Sequence, residues 1–200
     1  MKLYFSLIKL TQQTLMTISV ILLVVLPNVL ALYPEAISAS LLYAFAHTSL
    51  FLVMIIRPLA DLLPQSTYIR PLVILRKSVG VFSAAIVVSF IISKLMIDPV
   101  SYLSSFGTTA YWSLSHLALF AHLADISAFL LLITSNNLSK RIMGANWKRL
   151  QRLSYVYFYG SGIYIVGSFG DQVVFTYMII VTVLTLLAYL YKKQLTQVKS

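Results

Sequence analysis

The sequence predicts an all-α polytopic membrane protein, a bundle of six transmembrane helices with both termini in the cytoplasm. Three observations carry this reading. Hydrophobic residues make up 60% of the chain and charged residues only 10%, where a soluble domain has about 25% charged. Mean hydropathy is +0.89. The few charges divide the chain into apolar windows close to the roughly 20 residues that a spanning helix needs. A soluble enzyme, a nucleic-acid-binding domain and a disordered chain are thereby excluded. The net charge of +10 is read as a topological signal, and no nucleic-acid partner is expected. With 0 cysteines, disulfides, thiolate metal sites, iron–sulfur clusters and covalent c-type haem are also excluded.

Each span follows from a window. Leu10 to Pro34 is 25 residues without a charge and predicts span one at about 11–33; Ala36 to Ile56 is 21 and predicts span two at 38–58. Ser78 to Ser93 is 16, extended by Lys94, whose long side chain can snorkel, and predicts span three at 76–97. Pro99 to Ala124 and Ile126 to Ser139 flank the single Asp125 and predict span four at 110–134. Leu153 to Gly170 and Gln172 to Tyr191, of 18 and 20 residues, predict spans five and six at 150–168 and 171–191. Continuous apolar runs favour helices, because barrel strands alternate. Leu15 to Leu26 before Pro27 also has the character of a signal-peptide core, with Ala31 as a candidate cleavage residue. The run continues through Val29 to Tyr33, so a retained helix is the expectation.

Basic residues set the orientation, since positive loops stay cytoplasmic. Lys2 and Lys9 precede span one; Arg57, Arg70, Arg76 and Lys77 surround the second connection; Lys140, Arg141, Lys148, Arg149 and Arg152 crowd the fourth; Lys192, Lys193 and Lys199 end the chain. The remaining connections carry Glu35, Asp98 and Asp171, with Lys94 alone nearby. Loops at 34–37, 98–109 and 169–171 are therefore expected on the outer face. Leu59 to Leu75, with Pro58, Pro64 and Pro71, is expected to be a cytoplasmic loop with an amphipathic turn. No repeat or hinge-like linker divides residues 1–200, which read as one bundle.

The chain has three histidines and five carboxylates, so any chemistry depends on the few ionisable groups inside the bilayer. Such groups are expensive there and mark functional sites by default. Four qualify: His47, His116, His122 and Asp125. Counted from the predicted ends, His47 and His122 both fall near the midplane, where they can meet. Asp125, three residues after His122, shares its face and can orient an imidazole or pair with Arg57 or Lys94. His116 is six residues from His122 and points about 120° away. Two neutral imidazoles at equal depth on facing helices are what axial haem ligation requires. The blander reading is hydrogen bonding across the bundle, for instance with the 13 tyrosines.

Trp112, Tyr102 and Tyr111 at the outer end, and Trp147, Tyr189 and Tyr191 at cytoplasmic ends, fit interfacial belts. Tyr155, Tyr157, Tyr159 and Tyr164 instead lie along span five. They can line a pocket for a quinone, a flavin or a haem edge, or pack as an interhelical network. Gly160 and Gly162 in the same span lack the strand that a dinucleotide fingerprint needs. Their use is close approach of a helix or ligand.

The fourth connection reads SNNLSKRIMGANWKRLQRLSYVYF, and span three begins LRKSVGVFSAAIVVSF. Both are similar to the ferric-reductase-like transmembrane domain, in particular to the haem-binding membrane subunit of the bacterial methionine sulfoxide reductase system. Ser135, Lys140, Gly144, Trp147, Lys148 and Leu150 follow the order of that family's cytoplasmic loop, and Arg57 to Leu59 resembles its ending of span two. The resemblance implies a single ferric-reductase-like transmembrane domain in the inner (plasma) membrane. It also implies b-type haem, and electrons moving from a cytoplasmic flavin reductase or membrane quinol donor to an extracytoplasmic acceptor protein. The family's ligand positions, registered on Gly80 and on Gly144 with Trp147, hold Phe90, Gln151 and Tyr164 here. None is histidine.

Three expectations follow. One is electron transfer through haem b at a non-standard site, held by His47 with His122, or less favourably His116, an arrangement that resembles the cytochrome b561 family. Another is a haem-free membrane scaffold or partner subunit that has lost the redox site and whose basic loops dock a cytoplasmic protein or anionic membrane lipids. The third is a relay of protons or a small solute through His122, Asp125 and His47.

Overall fold

The computed structural model describes residues 2–33, 35, 38–114 and 117–197. Its elements are α1 (Lys2–Leu32), α2 (Ala39–Leu62), α3 (Ile69–Leu72), α4 (Leu75–Ile97), α5 (Pro99–Ser105), α6 (Ala118–Thr134), α7 (Asn137–Met143), α8 (Ala145–Leu150), α9 (Leu153–Phe169) and α10 (Gln172–Gln197), with a short 3-10 turn at Ala110–Trp112. No strand occurs among the described residues. In lipid, each backbone N–H and C=O must be satisfied within its own segment, which is why the apolar windows become helices.

Five helices form a ring in the order α2, α10, α9, α6, α4, and α1 lies outside it along α4. The core is filled where they meet, by Ala46, Leu50 and Met54 of α2, Ala84 and Val87 of α4, Ala124 and Ala128 of α6, Phe158 of α9 and Val181 of α10. Because α4 touches α1, α2 and α6, it is buried on several sides. Small residues there, including Ser83, Ala84, Ala85 and Ser89, permit the close approach. Ser89 Oγ donates to the Leu22 carbonyl of α1 at 3.2 Å. The outward faces carry Val20, Val24, Phe45 and Leu186, all exposed, as suits surfaces that meet lipid.

Four segments are long and apolar enough to cross a membrane: Lys2–Leu32, Leu41–Leu62, Ile69–Ile97 and Gln172–Leu195. A fifth is reached if α6 and α7, bent by 96° at their junction, count as one span. The sequence expectation of six windows thus corresponds to six main helices of unequal reach. α6 and α9 have 17 residues each, about 26 Å at 1.5 Å per residue, short of a core about 30 Å thick.

Three boundaries differ from expectation. α1 begins at Lys2 rather than near residue 11, because Lys2 and Lys9 are tolerated on an exposed helical face. α2 runs through Pro58 to Leu62, so Leu59 to Leu75 is not a loop but the end of a helix, a short connection and α3. Proline removes one N–H yet is accommodated in a helix whose other bonds persist. The α-helix of span four begins at Ala118, not 110. Leu117 adopts a left-handed conformation, φ 55°, which separates the preceding turn from α6.

Local capping fixes the connections. Asp98 accepts from Ser101 N at 3.0 Å ahead of α5, Asn136 from Ser139 N at 2.6 Å ahead of α7, and Asp171 from Val173 N at 2.9 Å ahead of α10. These are ordinary helix N-caps. Gly144 turns the chain between α7 and α8 with φ 51°, a conformation costly for other residues. Trp147 Nε1 donates to the Thr134 carbonyl at 2.9 Å, tying that corner to the end of α6.

Tyr4 Oη donates to the Tyr68 carbonyl at 2.7 Å, and Lys192 Nζ meets Asp61 Oδ2 at 2.7 Å. Arg76 Nε donates to the Val53 carbonyl at 3.1 Å. These contacts gather the start of α1, the ends of α2 and α10, and α3 at one end of the bundle, with the start of α4. That end carries most of the lysines and arginines.

Candidate functional site

A polar cavity of about 120 Å³ lies between α2, α4, α6 and α9, lined by Tyr43, His47, Lys94, His122, Asp125 and Ser161, with Tyr157 and Tyr164 also on its wall. Four ionisable side chains from three helices therefore share one space. His47 and His122 do come together here, and Asp125 shares the face of His122 as its three-residue spacing requires. Their depth differs from expectation. His47 is the ninth residue of α2 and His122 the fifth of α6, about 12 and 6 Å from the helix starts. Both lie in the half of the bundle away from the basic end, because α6 starts at Ala118.

His47 is 3% exposed and packs between rings, 5.1 Å from Phe158 and 6.4 Å from Tyr177, both stacked. Its Nδ1 lies 3.2 Å from Ser161 Oγ. The serine hydroxyl also lies 2.7 Å from the Tyr157 carbonyl and 3.2 Å from the Phe158 carbonyl. The Nε2 of His47 is buried and without a hydrogen-bond partner. His122 stacks on Tyr111 with centroids 3.3 Å apart and meets Trp112 edge-on at 5.9 Å. Its Nδ1 is likewise buried without a partner. His116 lies outside the described residues.

Two glycines allow this approach. A Cβ on Gly160 would lie 2.9 Å from the Phe120 carbonyl of α6, and one on Gly162 would lie 2.6 Å from Met178 Sδ and 3.5 Å from His47 Cε1. The Gly-Ser-Gly run thus seats α9 against α6 and α10 while Ser161 reaches His47.

Asp125 forms no ion pair within 4 Å among the described residues, although Lys94 lines the same cavity. The expected pairing with Arg57 is corrected. Arg57 Nε donates to Asp61 Oδ2 at 3.2 Å, at the basic end. Lys94 Nζ sits 4.6 Å from the Phe90 ring centroid, and Phe90 packs edge-on against Tyr43 at 5.3 Å.

The other two positions singled out by the sequence resemblance are dispersed. Tyr164 faces the polar cavity, while Gln151 lines a separate one at the basic end. The tyrosines of span five divide among faces. Tyr155 is exposed, and Tyr159 Oη bonds Thr182 Oγ1 at 2.8 Å. Tyr157 is buried, with its hydroxyl 2.9 Å from Ser83 Oγ, and Ser83 donates to the Ala46 carbonyl at 2.7 Å. Tyr157 also lines both cavities and stands between them.

A haem does not fit between these histidines. Sites for organic ligands measure about 300–1,000 Å³, whereas the space here is 120 Å³, and both imidazoles already stack on aromatic rings. Among the described residues no three His, Asp or Glu side chains are placed to hold a metal ion. The cavity does have room for several waters, and its polar walls offer them partners.

Sequence reasoning missed Tyr43 and Ser161 as members of the site and read Lys94 as a snorkelling end and a candidate partner of Asp125. The signal for Ser161 was its place between two glycines. Lys94 was signalled by being the one basic residue at the acidic end. Comparison with known proteins finds no matching family model, curated protein or solved structure.

Proposed function

We propose that the protein relays protons, or passes a small polar solute, across an inner (plasma) membrane through the cavity shared by His47, Lys94, His122 and Asp125. The bundle then crosses six times, with both termini and the basic end cytoplasmic, as the distribution of lysine and arginine favours. The observation that carries the reading is the meeting of four ionisable side chains, buried at His47 and exposed at Lys94, in one cavity between the helices, with two imidazole nitrogens left unpartnered. A bundle that needed polar residues only for packing would pair them. In the relay His47 Nε2 accepts a proton, its Nδ1 stays on Ser161, and His122 and Asp125 exchange protons with cavity water. Lys94 lines the same cavity and can exchange protons with its water.

Electron transfer through haem b, with a flavin reductase or quinol donor, is supported less well by this geometry because of the cavity volume. The ferric-reductase-like likeness of the α6–α9 connection is proposed as a relation in architecture. Purified protein is expected to be colourless and to give no histidine-dependent band with added haemin. A sharp b-type spectrum lost in His122→Ala would restore the redox reading.

The relay is tested in liposomes holding a pH-sensitive dye under an imposed potential. Asp125→Asn and His122→Gln are each expected to lower proton flux by at least about tenfold. Equal flux in wild type and both variants would reject the proposal.

A further inference from the structure

A larger cavity of about 420 Å³ lies at the basic end, between α2, α4, α6, α8 and α9. Its volume falls within the roughly 300–1,000 Å³ of sites that hold organic ligands. Leu50, Val53 and Leu131 give it apolar, buried walls. Arg57, Arg76, Lys77 and Lys148 also line it, and no Asp or Glu does.

Of these four cations only Arg57 has a carboxylate partner among the described residues, and it shares Asp61 with Lys192. The bond from Arg76 Nε to the Val53 carbonyl anchors that guanidinium at the wall while leaving its terminal nitrogens for other acceptors. Gln151 adds an amide whose Nε2 is buried with no hydrogen-bond partner. A buried orphan donor is costly unless something accepts from it. Several cations, one unsatisfied donor and an apolar flank together match a phosphate group attached to an apolar chain.

We infer that the Arg57–Arg76–Lys77–Lys148 cavity binds a phosphate group, carried by an anionic membrane amphiphile or by a soluble phosphate compound. Gln151 donates to it as well. The apolar walls favour the amphiphile, whose chain they would cover.

Trp147 lines this cavity, and the chain has only 2 tryptophans, so Trp112→Phe makes the emission of Trp147 a report on it. The full chain in phosphatidylcholine nanodiscs is titrated with dioctanoyl phosphatidic acid, dioctanoyl phosphatidylcholine and inorganic phosphate. A saturable response to phosphatidic acid is expected, with phosphatidylcholine at least about tenfold weaker. Lys77→Gln with Lys148→Gln, both exposed positions that leave the fold intact by circular dichroism, should weaken it about tenfold or more. Arg141→Gln with Arg149→Gln, an equal loss of charge outside the cavity, should not. Binding of inorganic phosphate at similar concentration supports the site and identifies the soluble source; a response to phosphatidic acid alone supports it and identifies the lipid. No saturable response to either, or equal weakening by the Arg141 and Arg149 pair, overturns the inference.

Discussion

Gly160 shows how much of the site depends on single atoms. A Cβ there meets a backbone carbonyl at 2.9 Å, which cannot swing aside. Gly160→Ala is therefore expected to destabilise the protein by about 1–3 kcal/mol, the usual range for overpacking. At Gly80 the nearest atom to such a Cβ is the Val53 side chain at 3.9 Å, ordinary contact, and Gly80→Ala should stay within about 0.5 kcal/mol. Denaturant unfolding in detergent compares the two, and equal effects would contradict the packing given to α9. The ionisable residues of the cavity were legible because charge within apolar windows is rare and costly. Their depth was not, because it depends on where α6 begins, and nothing local in Leu117 announces a left-handed backbone. The dispersal of the four span-five tyrosines was partly legible. Residues 155, 157, 159 and 164 cannot share one face at about 100° per residue.

Among the elements, α4 and α9 are held by a buried hydrogen bond and α2 and α10 by an exposed ion pair, and the two differ in worth. Tyr157→Phe removes a buried hydroxyl that bonds Ser83, while Ser83 keeps its bond to Ala46. A loss of about 0.5–1.5 kcal/mol is expected. Asp61→Asn removes both pairings at the end of α2, but Arg57 and Lys192 are each 53% exposed. Solvent screening limits that change to about 0–1 kcal/mol. Thermal unfolding of the two variants checks this order, and a larger shift for Asp61→Asn would contradict it. Boundaries were the least legible part at this scale. Pro58 was read as ending a helix, yet α2 continues one turn beyond it, since the neighbouring helices satisfy what proline releases. Span lengths were misjudged where short helices meet turns, as at α6 with α7, because apolar composition continues across the bend.

For the whole molecule, sparse charge in long apolar windows made the all-helical architecture legible, and the clustering of basic residues anticipated the basic end. Invisible in the linear sequence was the placing of two cavities on either side of Tyr157, which arises only when α2, α4, α6 and α9 converge. The proposed relay requires the polar cavity to be wet and open away from the basic end. Because the chain has 0 cysteines, one introduced thiol reports without background. Ala121→Cys places it in the polar cavity and Ser135→Cys in the basic one. A membrane-impermeant maleimide applied to oriented vesicles should label Ala121→Cys from the outer face alone and Ser135→Cys from the cytoplasmic face alone. Labelling of both from one face, or no labelling of Ala121→Cys from either, would contradict the account.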